Sequence, residues 1–222
     1  MIWMQTATGR AFDLLQPQPS MVDFTVDVPD ALARIPRFCG QINAGPYSVA
    51  QHCVIGADHI FEETARVDLA AAFLLHDGHE FIIGDIATPV AWALATFVAE
   101  DGERIKFTNL SLVEAQIRAL KHRIDGAIFT AAGLPFPMPA AVHEKIKEID
   151  ARMFATERKH LLGRSPMPMH ENYERAEPLP LRGALKVWPW PKAAEAWRDR
   201  FERYVVTAAA AFRKGVVIAA DE

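Results

Sequence analysis

Residues 71–85, AAFLLHDGHEFIIGD, run from apolar side chains straight into His76, Asp77, His79, Glu80 and Asp85. Ionisable groups are costly to bury unless they are paired or bound to a metal, so this density of imidazole and carboxylate marks a site. On one helix over 68–83, His76 and Glu80 stand at i and i+4 and Asp77 and Glu80 at i and i+3, which puts the three on one surface. Adjacent His76 and Asp77 turn toward a common point only around a ligand placed between them, and a metal ion meets that requirement.

The remaining ligands must be His, Asp or Glu at otherwise apolar positions of other helices. His52 has Val49 and Ile55 three residues to either side, with Gly56 a turn later, so its imidazole falls on an inward face. Asp150 lies in the stripe Ile146, Ile149, Met153 and Phe154. Taken singly, His52 reads as a hydrogen-bonded core histidine and Asp150 as the partner of Arg37 or Arg152. Taken together, His52, His76, Asp77 and Asp150 predict a centre for one divalent cation. Two imidazoles and two carboxylates suit Mn, Co, Fe, Ni or Zn.

The elements that must carry these residues read as helices. Residues 1–27, broken by QPQPS, predict an irregular or hairpin-like leader. VDVPDALARIPRF is a short helix with Pro29 in its first turn and Pro36 past its end, delivering Arg37 and Phe38 to a loop. Ser48 and Gln51 have capping-box spacing, which starts a helix that runs to about Glu63. The alanine-rich run ending at Gly84 is a buried helix. Thr88-Pro89 starts the next helix, and ERIKFTNLSLVEAQIRALKHRIDGAIFTAAG continues as amphipathic helix to Gly133. A helical stripe runs from Ala140 to about Leu162. The proline-rich residues 163–191 form a wrap or lid, and a last helix covers about Lys192 to Phe212.

The expected architecture is an all-α bundle of one domain over 1–222, with its core at about 28–165 and a loop and C-terminal helix packed on it. The chain carries a formal net charge of −4, half of its residues are hydrophobic and 23% are charged. That balance predicts neither a nucleic-acid nor a membrane partner, and with no secretory-type leader the expected compartment is the cytoplasm. Cys39 and Cys53 form no CxxC pair and read as buried free thiols.

The order His52, His76-Asp77, Asp150 resembles the H…HD…D signature of the HD-domain metal-dependent phosphohydrolases. RFCG at 37–40, YSVAQH at 47–52, LLHDGHEFIIGDIATPV at 74–90, GLPFPMP at 133–139 and IDARMFATER at 149–158 are similar, in order, to the bacterial 5′-deoxynucleotidases and their prophage-type relatives. The likeness extends from about Thr8 to about Leu162. It implies an HD-type helical fold, a divalent cation on His52, His76, Asp77 and Asp150, catalytic carboxylates at Glu80 and Asp85, a phosphate contact from Arg37, and a homodimer. The residue after that arginine is commonly tryptophan in the family, packed near the sugar. Here it is Phe38, which keeps an apolar wall but lacks the indole N–H. His79 replaces the small residue usual inside the HDxxE pattern, altering the metal surroundings or adding a pocket contact.

The expected activity is therefore hydrolysis of a small-molecule nucleotide, first a deoxynucleoside 5′-monophosphate. In that scheme Glu80 orients or deprotonates water and a protonated Asp85 supplies the leaving oxygen with a proton, or the two roles are exchanged. Two rival readings share the site: a triphosphohydrolase or pyrophosphohydrolase acting on dNTPs, and a non-catalytic nucleotide-binding module. A two-iron oxygenase needs further histidine ligands, and His59, His79, His122, His143, His160 and His170 show no spacing for them. Trp188, Trp190 and Trp197 read as packing for the C-terminal segment, Arg118, Lys121 and Arg123 as a solvated helix face, and Glu157 and Arg158 as structural bracing near Asp150.

Overall fold

Apolar residues recurring at helical spacing dominate the chain, and the computed structural model is accordingly an all-α bundle. It describes residues 1–94, 97–98, 104–105, 110–168 and 174–215, with only the backbone at 97–98, 104–105 and 110–111. In chain order the helices are α1 (Asp27–Arg34), α2 (Val49–Thr64), α3 (Val67–Leu75), α4 (Glu80–Ile83), α5 (Thr88–Leu94), α6 (Leu110–Ala132), α7 (Ala140–Leu161), α8 (Trp190–Arg200) and α9 (Thr207–Arg213). A π-helical turn, Phe201–Val206, joins the last two.

The leader is a hairpin of β1 (Trp3–Gln5) and β2 (Ala11–Asp13), with Met4 opposite Phe12. Phe12 is fully buried and meets the Phe81 ring edge-on at 5.2 Å, so the hairpin anchors α4. Asp27, at the start of α1, fastens the hairpin turn by accepting hydrogen bonds from Thr8 N (2.9 Å) and Thr8 Oγ1 (2.8 Å).

α3 lies at the centre. Every residue from Asp68 to Leu75 is buried, which explains why the run lacks a polar face. α2 crosses it where Gly56 lets the Phe73 ring approach the helix backbone. α7 and the π-helical turn pack on other sides of α3, and α8 spans α1 and α2. Trp197 is fully buried with Phe201 stacked at 5.4 Å and Phe24 at 6.3 Å, which is the packing role expected of it.

Three local expectations are corrected. The helix over 68–83 is interrupted: α3 ends at Leu75, and His76 N, Gly78 N and Glu80 N each bond to the carbonyl three residues back. Such tightened turns carry 3.0 residues per turn instead of 3.6 and rotate the side chains relative to an ideal helix. Second, continuous helix through 103–109 is replaced in part by a strand pair, β3 (Phe97–Val98) with β4 (Arg104–Ile105). Third, Cys39 is exposed, and Cys53 alone is a buried thiol.

The proline-rich wrap is tied down between 179 and 188. The fully buried Gln51 side chain donates through Nε2 to Lys186 O (2.7 Å) and accepts at Oε1 from Trp188 N (2.9 Å). Gln51 thus binds the strap instead of completing a capping box, while Ser48 Oγ accepts from Gln51 N as expected. Thr156 Oγ1 holds Leu179 N at 2.7 Å. Residues 169–173, including His170, lie outside the described residues. No helix among the described residues is long and apolar enough to cross a membrane.

Candidate metal centre

Three elements bring the four predicted ligands together. His52 comes from the first turn of α2, His76 and Asp77 from the tightened turn after α3, and Asp150 from the middle of α7. His52 Nε2 lies 3.3 Å from Asp150 Oδ1 and 3.9 Å from Asp77 Oδ2, and His76 Nε2 lies 3.3 Å from Asp77 Oδ2 and 3.9 Å from Asp150 Oδ1. Ligand atoms about 2.0–2.2 Å from a tetrahedral ion stand roughly 3.3–3.6 Å apart, so these separations suit one cation.

The rings are held for that purpose. His76 Nδ1 is 2.6 Å from Phe73 O, and because a carbonyl only accepts, Nδ1 carries the proton and Nε2 faces the carboxylates. His52 Nδ1 is 2.6 Å from Glu157 Oε1, with both side chains fully buried. Both Nε2 atoms are buried and without a hydrogen-bond partner. A cation satisfies both at once, and the opposite ring nitrogen bound to carbonyl or carboxylate is the usual support of a metal-ligating histidine.

The electrostatics of the cluster also call for positive charge. Burial and the Arg37 guanidinium oppose charging His52, yet Glu157 and Asp150 outweigh them and raise it to about 9. Burial pushes Asp77 upward, but His76, His52 and Arg37 together hold its carboxyl well below the usual range. Asp150 is lowered too, against burial, by His52 and His76.

Asp150 departs from its expected setting. Ile146, Ile149 and Met153 are buried as the stripe requires, but the Asp150 side chain is 43% exposed. It forms the open side of the centre, while His52 closes the other. Arg152, one alternative partner for Asp150, instead faces Glu63 and Glu148.

Arg37 sits beside the ligands but is engaged by carboxylates: Nη1 donates to Asp77 Oδ2 (3.3 Å) and Nη2 pairs with Glu157 Oε2 (3.3 Å). Its backbone is pinned by Arg37 N to Tyr47 O at 2.8 Å. Phe38 follows in a left-handed conformation (φ 57°), as does Cys39 (φ 51°), a costly backbone for side chains with a Cβ. This turn sets the Phe38 ring 5.9 Å from Phe154, one turn beyond Asp150.

Glu80 is 4% exposed, and burial together with Asp77 and Asp85 raises its carboxyl to about 10. Asp85, just past the Gly84 turn (φ 77°), is also raised, by burial first, with Asp77 adding to it and Arg37 opposing it. Both candidate catalytic carboxylates therefore feel Asp77. The sequence leaves open which of Glu80 and Asp85 acts as base and which as acid.

Several residues given other roles from the sequence also border the centre. Glu157, read as bracing Asp150 or making a neighbouring contact, supports His52 and Arg37 from two turns further along α7; its seven-residue spacing from Asp150 was the available signal. Lys121, read as solvated face, is only half-buried on α6 and its charge acts on both Glu80 and Asp85. His79 contacts Asp125 of α6, with Nδ1 2.9 Å from Oδ1. Cys53 Sγ also lies near His76 and Asp77, but burial keeps it a thiol and so a poor ligand.

No family model matches the chain. Over 205 residues, covering 89% of this chain and 93% of the other, it is 28% identical to an uncharacterized protein of Rhodobacter capsulatus. The similarity therefore extends over nearly the whole of both proteins and is silent on activity. The geometry stands as that of a helical protein with a buried His/Asp cluster that could hold a metal ion.

Proposed function

We propose that the protein is a metal-dependent phosphohydrolase that releases orthophosphate from deoxynucleoside 5′-monophosphates. The observation that carries this reading is the convergence of His52 Nε2, His76 Nε2, Asp77 Oδ2 and Asp150 Oδ1, with both ring nitrogens unpartnered. A divalent cation held there supplies Lewis acidity, lowering the pKa of bound water and offsetting charge on phosphoryl oxygens. The exposed edge of Asp150 gives the substrate its approach.

Around that centre the chain's own residues position and move protons. Arg37 shifts donors from Asp77 and Glu157 to phosphate oxygens, which fixes the phosphorus for in-line attack. Lys121 adds a second positive charge on the side of Glu80 and Asp85. Water attacks phosphorus and the P–O5′ bond breaks. One of Glu80 and Asp85 takes the proton from water and the other returns one to the nucleoside oxygen. Phe38, backed by Phe154, forms the apolar wall for the sugar.

The test is phosphate release from dNMPs, NMPs, dNTPs and non-nucleotide phosphomonoesters, using metal-stripped protein resupplied with Mn, Co or Zn, and Asp77→Ala as control. Metal-dependent orthophosphate from dNMPs alone is the expected result. Longer inorganic fragments from dNTPs alone would move the reading to a triphosphohydrolase or pyrophosphohydrolase. Bound metal without turnover on any of these substrates would replace it with a nucleotide-binding module.

A further inference from the structure

Tyr47 stands just before the Ser48 cap of α2 and has no part in the chemistry described so far. Its side chain is fully buried, and the ring is fixed in a small apolar cluster with Ile42, Leu161 and Leu185. A buried phenol ordinarily finds a hydrogen-bond partner, yet the Tyr47 hydroxyl has none among the described residues. Two atoms of the same buried group share that condition, Glu157 Oε2 and Arg37 Nε.

The way Arg37 is held accounts for these open atoms. Its Nη2 faces Glu157 Oε2 at 3.3 Å without the alignment of a hydrogen bond, and its Nη1 bond to Asp77 Oδ2 is also 3.3 Å long. Well-formed bonds from guanidinium to carboxylate run to about 2.7–2.9 Å. The guanidinium is thus shared between two carboxylates and closes on neither. Glu157 Oε1, by contrast, is committed to His52 Nδ1 at 2.6 Å, so this carboxylate is not free to follow Arg37.

We propose that Tyr47 is a positioning residue for phosphate binding: when the Arg37 guanidinium turns to a phosphate, the Tyr47 hydroxyl donates to Glu157 Oε2 in its place. The inference rests on the phosphohydrolase reading and deepens it. Without a replacement donor, the departure of Arg37 strands a charged oxygen in the interior, and that penalty opposes substrate binding. Glu157 is near enough to act on the phenol, and burial together with that carboxylate pushes the hydroxyl well above its ordinary value, so it keeps the proton it has to donate. The Tyr47 carbonyl also accepts from Arg37 N at 2.8 Å, which ties the two residues together at the backbone while the guanidinium moves.

The experiment compares wild type and Tyr47→Phe, both saturated with Mn²⁺, for binding of inorganic phosphate by calorimetry and for thermal melting with and without phosphate. The expected result is phosphate affinity lower by about 10–100-fold in the variant, the usual worth of one hydrogen bond to a charged group. Mn²⁺ affinity and the phosphate-free melting temperature should be unchanged, because the hydroxyl closes no bond before phosphate arrives. In a Glu157→Gln background, where the stranded charge is gone, Tyr47→Phe should have a much smaller effect on phosphate. The wild type alone gives a further readout: phosphate should shift tyrosine near-ultraviolet absorption to the red, as a phenol does on donating to a carboxylate. Equal phosphate affinity in both proteins, or no red shift in the wild type, overturns the role of Tyr47 and leaves the phosphate contact of Arg37 standing. A variant that melts lower without phosphate but binds phosphate as before makes Tyr47 a packing residue and overturns the proposal. Loaded wild type that binds no phosphate, or binds it no better than Arg37→Ala does, overturns the Arg37 contact and this inference with it.

Discussion

Glu157 Oε1 stands 2.6 Å from His52 Nδ1, and neither side chain reaches solvent. The same carboxylate faces Arg37 Nη2 through its other oxygen at 3.3 Å, so one buried group supports both a metal-type imidazole and a phosphate-type guanidinium.

Glu157→Gln should therefore weaken Mn²⁺ affinity about 10–100-fold, the usual loss when the carboxylate behind a ligating histidine is altered. Competition with a fluorescent chelator measures it. Glu157→Ala should also lower folding stability by about 3–5 kcal/mol, since it leaves the Arg37 charge buried with one partner fewer. Unchanged affinity in the Gln variant would mean that His52 is not a ligand.

Gly56→Ala tests the crossing of α2 and α3. A Cβ there would fall inside the Phe73 ring, which packs on His76 at 4.3 Å and on His52 at 5.6 Å between ring centres. Overpacking should cost about 1–3 kcal/mol and weaken metal binding as well. Gly183→Ala, where a Cβ meets nothing within 4 Å, is the matched control for thermal melts.

Gln51→Ala removes the partners of Lys186 O and Trp188 N. Losing these two part-buried hydrogen bonds should cost about 0.5–1.5 kcal/mol each. Amide exchange at Trp188 should accelerate, and proteolysis within 163–189 should become faster. A Trp188 amide as slow as in the wild type would show that the clamp does not hold the strap.

Asp27 governs part of the acid limb of stability. Burial pushes its carboxyl up, but the Thr8 and Arg10 hydrogen bonds outweigh it and place it below the usual aspartate value. A group depressed in the folded state stabilises above its unfolded value, about 3.9, and that contribution is lost as pH falls through the folded value. Urea unfolding at pH 7 and pH 3 should therefore show a stability gap between wild type and Asp27→Asn at pH 7 that narrows at pH 3. A gap that is equal at both would remove Asp27 from the acid transition.

Much of the helical frame was legible because its punctuation is local. Ser48 caps α2, Gly84 closes α4 with φ 77°, and Gly133 follows α6 with φ 72°; each needs only its own neighbours to be read. The four convergent ligands were legible because an ionisable residue among apolar ones is conspicuous at any distance. The break at His76 was not, since the bond from its ring to Phe73 O competes with the helical pattern and depends on what surrounds it. Nor was the pairing of Glu157 with His52, which joins residues 105 apart in the chain. The exposure of Asp150 escaped for a related reason: periodicity shows which face of α7 turns inward, but not where the neighbouring helices stop covering it.

The clamp from Gln51 also sets an order of events during synthesis. The turn that carries His52 is finished by backbone atoms of residues 186 and 188, which leave the ribosome long after α2 has formed. Folding of the earlier helices can bring them together first, but the ligand-bearing turn acquires its last partners only once residues 186 and 188 have emerged. Nascent chains halted before Trp188 should therefore hold a bundle whose metal-binding turn is still unsealed.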